Sequence, residues 1–295
     1  MTSVDAAPQH PAPPERPELP EGATAAGPAR PRWMPWTAPI ALLAGFAAAF
    51  VGAIVIGVVA AIFGASFDDP PASVGIASVI VQDACLIGSA LFFARLTGPP
   101  RPRQFGLRRP DRLMASAGLV VAAYVGFIVV SYVWLTAIGQ TDTKDTITED
   151  LGAGSGTAAL VAVAFVVTVV APISEEFFFR GYFFGALRNI GLWPAVVITG
   201  LAFGLVHVFG SPFAFILPLA FLGGMLCLLR EWTASLYPGI ALHCLNNSIA
   251  FSSSQHWDWQ VPVVLVAAPA LIAGLLWLGM RAWPGPRPEP ARSTV

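Results

Sequence analysis

Charge is what this sequence has least of. Only 11% of its 295 residues are Asp, Glu, Lys or Arg, against about 25% in an ordinary soluble domain. Hydrophobic residues make up 56% and the mean hydropathy is +0.69. That excludes a soluble globular protein and makes the lipid bilayer the main solvent. The formal net charge is −1 and no long basic run interleaves with aromatics, so the electrostatic footprint of nucleic-acid binding is missing and nucleic acid is not an expected partner. Cysteine is scarce as well. Cys85, Cys227 and Cys244 lie in apolar stretches without metal-type spacing and read as small buried hydrophobes rather than disulfides or ligands. A Gly-x-Ser-x-Gly elbow, a His-Glu-x-x-His motif and a Gly-rich phosphate loop are all missing, which removes several common hydrolase and nucleotide-binding signatures.

What is present is a succession of apolar runs, each to be measured against the roughly 20 residues that cross about 30 Å of hydrocarbon. Eight occur, at residues 39–64, 74–96, 113–138, 157–187, 193–209, 212–229, 235–251 and 261–280. The expected fold is all-α, a polytopic integral membrane protein with about eight transmembrane helices. Runs as short as 193–209 sit at the lower limit and allow seven or nine crossings. Residues 1–35, rich in Pro, Ala, Glu and Arg, are expected to be a disordered tail rather than a signal peptide. Residues 36–155 hold the N-terminal transmembrane helices, 156–283 a membrane core and 284–295 a second short tail. Arg30 and Arg32, the five arginines of 101–112, Arg188, Arg230, Arg281 and Arg287 fall in alternate connections, whereas the others carry mostly acidic residues. The excess of positive charge on one side predicts that both termini are cytoplasmic. No repeat at a fixed period and no inverted pair of interrupted helices of the transporter kind is found.

The fourth run contains charges that a membrane segment should avoid: Glu175-Glu-Phe-Phe-Phe-Arg180 follows Ala171-Pro-Ile-Ser. An ionisable group at that depth costs about 2.5–3.5 kcal/mol or more, so each should face the protein and have a partner. Glu176 and Arg180 stand at i and i+4 and are expected to pair. Glu175 points about a hundred degrees away and is left to find a proton, a cation or a water. Two further polar pairs have helical spacing, Phe203 with His207 and His243 with Asn247. Glu175 and His207 each lie about 16 residues, or about 24 Å, from the turn at Gly191, and His243 lies about 16 Å from the turn near Trp232. One site open toward the cytoplasm is compatible with those depths. A lone histidine or a single Glu-Arg pair is commonly structural; two Glu, one Arg, two His and one Asn at compatible levels point instead to an intramembrane active site. Gln82 and Asp83 form a polar island in the second run that can simply bond a neighbouring helix, and Asp83 receives no role. His10 and His256 are expected to be solvated.

A carboxylate beside a histidine can hold and deprotonate water, and a second histidine with an amide can stabilise the oxyanion formed on a carbonyl. That is a kit for peptide hydrolysis without a Ser or Cys nucleophile. Two histidines and a glutamate are equally a catalytic set for a divalent metal such as zinc, and the residues alone leave both mechanisms open.

Glu175-Glu-Phe-Phe-Phe-Arg180-Gly, Phe203-x-x-x-His207 and His243-x-x-x-Asn247 resemble the three motifs of the type II CAAX prenyl endopeptidases and the bacterial CPBP (Abi) membrane proteases. Phe221-Leu-Gly-Gly and the run from Leu229 to His243 are also similar, so that about a quarter of the chain, residues 174–249, is covered. The resemblance implies an intramembrane endopeptidase acting on a membrane-associated peptide or protein. Glu175 would be the general base, His207 would share its water, Glu176 and Arg180 would brace the site, and His243 with Asn247 would stabilise the oxyanion. It leaves metal dependence open. An abundance of Ala, Arg, Pro and Gly beside almost no lysine suggests a GC-rich genome and a bacterial plasma membrane. The competing reading is a non-catalytic immunity or scaffolding protein that binds a peptide in the same pocket; a proton-relaying transporter ranks last, because the motifs cluster in one half of the chain.

Overall fold

The computed structural model describes residues 31–66, 68, 70–255 and scattered positions between 267 and 281. Outside the described residues lie His10, His256 and Asp258, most of the expected eighth crossing, most of the N-terminal tail and the C-terminal tail. Every regular element among the described residues is helical.

Among the described residues, six helices are long and apolar enough to cross a bilayer. They are α1 (Thr37–Ile62), α2 (Ala72–Arg95), α3 (Leu113–Ala137), α4 (Thr157–Ile190), α5 (Leu192–Val206, extended by a 3₁₀ turn to Phe209) and α6 (Ile216–Thr233). The protein is therefore an integral membrane protein. The seventh expected run is also a helix, α7 (Tyr237–Ser254). It carries His243, Asn246, Asn247, Ser248 and Ser252 to Ser254, a polar content that sets it apart from the other six by composition.

Packing follows from what each helix can bury. α1 pairs with α2, α5 with α6, and α3 with α6, while α7 and α2 both pack against the middle of α4. Water gives no hydrophobic push between helices in lipid, so close contact requires small residues at the seam. Gly200 and Gly204 provide it on α5. A Cβ at Gly200 would meet the Ala220 carbonyl of α6 at 2.7 Å, and one at Gly204 would meet the Ile216 carbonyl at 2.6 Å. The outward faces, with Leu43, Phe50 and Val51 of α1 or Tyr132 and Val133 of α3, remain exposed and apolar, as a lipid-facing surface requires.

The connections also sort by charge. At one end, the Arg-rich loop between α2 and α3 is tied to the α6–α7 turn: Leu236 N–H donates to Gly106 O at 2.9 Å and the Ser235 hydroxyl to Arg108 O at 2.6 Å. Arg188 makes a bidentate pair with Glu231 there. At the other end, the Ser211 hydroxyl donates to Asp145 at 2.8 Å, and Thr148 pairs with Ser254 at 3.0 Å. Trp33, within the stretch expected to be tail, is packed instead. Its ring is 2% exposed, between Phe105 at 4.8 Å and Tyr182 at 5.1 Å, because burying so large an apolar surface outweighs ordering the few residues before α1.

α4 is not a regular α-helix. Val166–Val170 and Phe177–Phe183 are π-helical, on either side of the α-helical turn Ala171–Glu176. Such wide turns commonly mark functional sites. Pro172 explains the first, since a proline ring within a regular helix strikes the carbonyl four residues back and donates no bond.

Candidate active site

The acidic motif sits on the α-helical turn between the two π segments, near the middle of α4. The expected ion pair is present: Arg180 Nη1 lies 2.7 Å from Glu176 Oε1, with both side chains essentially sealed from solvent. Arg180 Nη2 donates to Gly223 O on α6 at 3.1 Å, and its guanidinium lies over the Phe203 ring of α5 at 4.2 Å. The buried cation is thus held by a carboxylate, a carbonyl and an aromatic face, three partners that together offset its desolvation.

α7 adds the next layer. His243 Nδ1 is 3.1 Å from the same Glu176 Oε1, and its Nε2 is 3.8 Å from Glu175 Oε2. The approach is possible because residue 239 is glycine; a Cβ there would stand 2.9 Å from Glu176 Oε2. A carboxylate accepts, so Nδ1 carries a hydrogen. Donation of a second bond from Nε2, toward a carboxylate or an oxyanion, then requires the imidazolium form.

Glu175 differs from its neighbour in exposure and in what holds it. Its side chain is 17% exposed against 1% for Glu176, and it makes no hydrogen bond among the described residues, whereas Glu176 Oε1 is held by Arg180 and His243; the Oε2 atoms of both are buried without a hydrogen bond. Glu175 is the carboxylate of the pair that is free to act on something else.

His207 begins the 3₁₀ turn that follows α5 and is half-buried. Its Nδ1 donates to Phe203 O at 2.7 Å, a bond only a protonated nitrogen can make with a carbonyl, which leaves Nε2 bare in the neutral ring. The Phe203 ring touches both histidines, at 4.8 Å from His207 and 5.5 Å from His243. Glu175, Glu176, Arg180 and His243 are therefore in direct or near contact, and His207 reaches them across one aromatic ring.

Asn247 is placed by the irregularity of α4. The Ala171 N–H bonds Val166 O in the π manner, and Pro172 has no N–H, so the carbonyl of Val167 is left without a backbone donor. Asn247 Nδ2 supplies the bond at 3.0 Å. Its Oδ1 accepts from Asn246 at 3.3 Å, and the second Nδ2 hydrogen remains to be donated elsewhere.

Among the described residues, no group of three or more His, Cys, Asp or Glu side chains is arranged to hold a metal ion. The site residues, as placed, do not fit a three-ligand zinc centre, which needs its donors within about 2 Å of one point. Cys227 and Cys244 are buried and free, and Cys85 is half-buried and free. Sequence reasoning missed the π turns and the neighbourhood of Asp83. The Asp83 carboxylate of α2, a helix packed on the middle of α4, is buried, and neither of its oxygens has a hydrogen bond among the described residues. The signal for it was the charge itself, an aspartate in an otherwise apolar crossing.

An integral membrane protein with a buried Glu-Arg-His cluster on interrupted helices is the class that fold and site define. Residues 157–249 match the family described as "Type II CAAX prenyl endopeptidase Rce1-like", and this supports assignment to the CPBP/CAAX protease family. The match begins at the first residue of α4 and ends within α7, so it contains all six motif residues. No curated protein and no solved structure matches the chain.

Proposed function

We propose that this protein is an intramembrane endopeptidase that hydrolyses a peptide bond of a membrane-associated protein or peptide with a glutamate-activated water. The observation that carries the reading is the asymmetry of the two glutamates. Glu176 is committed through Oε1 to Arg180 and His243, whereas Glu175 makes no hydrogen bond among the described residues and is the more exposed of the two, with His243 Nε2 at 3.8 Å. In this reading Glu175 is the general base and takes a proton from the water as it attacks the scissile carbonyl; the same carboxyl then returns the proton to the leaving amine. Glu176 and Arg180 brace the site. The bare Nε2 of His207 accepts a hydrogen from the water and orients it. His243, as imidazolium, and the second hydrogen of Asn247 Nδ2 stabilise the oxyanion.

The protein sits in a bacterial plasma membrane with both termini cytoplasmic, and residues 156–283 form the catalytic core. The sorting of arginine-bearing connections to one end supports that orientation. Mass spectrometry of peptide termini in membranes from cells expressing either the wild type or Glu175→Ala, at matched levels, tests the activity. A new terminus found only with the wild type is the expected result and names a substrate. Identical termini, with biological function retained by the variant, would replace the protease with a non-catalytic peptide-binding protein.

A further inference from the structure

The arginine-bearing end of the bundle holds more cation than the protein neutralises there. Among the described residues its connections and helix ends carry two carboxylates, Asp111 and Glu231, and both are taken, Asp111 by Arg108 and Glu231 by the bidentate Arg188. Several other arginines at this end, such as Arg101 and Arg109, are exposed and need no partner. Arg230 is different. It stands in the last turn of α6, is half-buried, and its Nε is sealed from solvent with no hydrogen bond among the described residues. Its guanidinium rests against the bare Cα of Gly106, where a Cβ would stand 2.6 Å from Arg230 Cζ and 2.9 Å from Nη2. The C-terminal end of α6 favours a cation, but that field gives Nε no acceptor. Arg108 starts from the same point, its N–H donating to Gly106 O at 2.8 Å. It is 9% exposed, and its Nε is likewise sealed without a partner.

A buried guanidinium N–H without an acceptor bears the full cost of leaving water. The planar fork of arginine matches the oxygens of a phosphate group better than any other common anion except a carboxylate, and the carboxylates at this end are already committed. Arg230 also lies where a membrane span ends, at the level of lipid headgroups. We propose that Arg230, seated on Gly106, binds a phosphate group with Arg108 of the same loop as the second cation. The phosphate comes from an anionic lipid headgroup or from a soluble phosphate; either supplies the acceptor that the two arginines lack. Binding would fasten the loop between α2 and α3 to α6, beside the bonds that Leu236 N–H and the Ser235 hydroxyl already make to that loop. It would thereby steady the start of α7, about two turns before His243. The proposal goes beyond the peptidase reading and does not depend on it.

The test is thermal unfolding of the full chain in a phosphate-free maltoside detergent, titrated at fixed ionic strength with phosphatidylglycerol, phosphatidylcholine or inorganic phosphate. A ligand of the folded state raises the midpoint as its concentration rises. A rise with phosphatidylglycerol alone supports the site and makes the lipid its ligand; an equal rise with inorganic phosphate supports it and makes the ligand a soluble phosphate. No rise with either, or an equal rise with zwitterionic phosphatidylcholine, would overturn the proposal. Arg230→Met should weaken the titrated binding about tenfold, whereas Arg109→Gln, an exposed arginine of the same loop, should change it by less than about twofold. Equal losses in the two variants would reduce the effect to a diffuse field of charge and remove the site. Without any ligand, Arg230→Met should unfold no lower than the wild type, because it keeps the apolar stem and removes an unpartnered buried charge. A variant that unfolds well below the wild type in that state would show that the protein itself holds Arg230, which also overturns the proposal.

Discussion

The two halves of the chain meet the same solvent with opposite strategies. In α1 and α3 only 11% of the apolar span is buried within the protein, whereas in α5 the figure is 33% and in α6 it is 44%. α1 and α3 contain no ionisable side chain apart from two tyrosines of α3, present apolar residues outward and need few specific contacts. α4 to α7 hold three glutamates, three arginines and two histidines, and those at membrane depth need partners inside the molecule. The lesson is that length and hydrophobicity suffice for a wall, but a site inside a membrane has to be built from close helix contacts and completed polar networks. α2 belongs to both halves, since it packs on α1 along one face and carries Asp83 to α4 along another.

Substitutions can break or sharpen that contrast. The largest effect on activity is expected for Glu175→Gln, which should abolish cleavage while leaving the protein's accumulation and thermal unfolding in detergent close to wild type. Next is Arg180→Leu. It would leave Glu176 buried without its cation, and thermal unfolding should report a loss of about 3–5 kcal/mol. Gly204→Ala should cost about 1–3 kcal/mol, because the new methyl meets the Ile216 carbonyl at 2.6 Å and the α5–α6 seam must open. Gly57→Ala is its mirror in the other half. No atom lies within 4 Å of a Cβ there, so unfolding should show a gain of about 0.5–1 kcal/mol from helix propensity alone. Phe50→Leu on the outward face of α1 should stay within about 0.5 kcal/mol, and a larger loss would mean that this face is covered by protein.

Much of this was legible in the residues. The apolar runs place α1 to α7, since segment length and hydrophobicity are properties of local sequence. The Glu176–Arg180 pair follows from spacing, because four positions on a helix return to the same face. What stayed hidden depends on where one helix's irregularity meets another helix. The bond from Asn247 to Val167 O could have been sought from Pro172, which must orphan a carbonyl, but which carbonyl it is depends on the π register. Spacing placed His243 on the face of Asn247; it could not say that both glutamates lie within reach of one imidazole. The role of Trp33 was masked by composition, as a single aromatic in a Pro-rich stretch carries no periodicity.

The glycine seam between α5 and α6 has a consequence for traffic. Where backbone rests on backbone, as at Gly200 and Gly204 against Ala220 and Ile216, there are no side chains that could swing aside to admit a guest. That pair of helices forms a fixed wall, and in the proposed protease a polypeptide bound for Glu175 would have to come along a boundary lined by movable side chains instead.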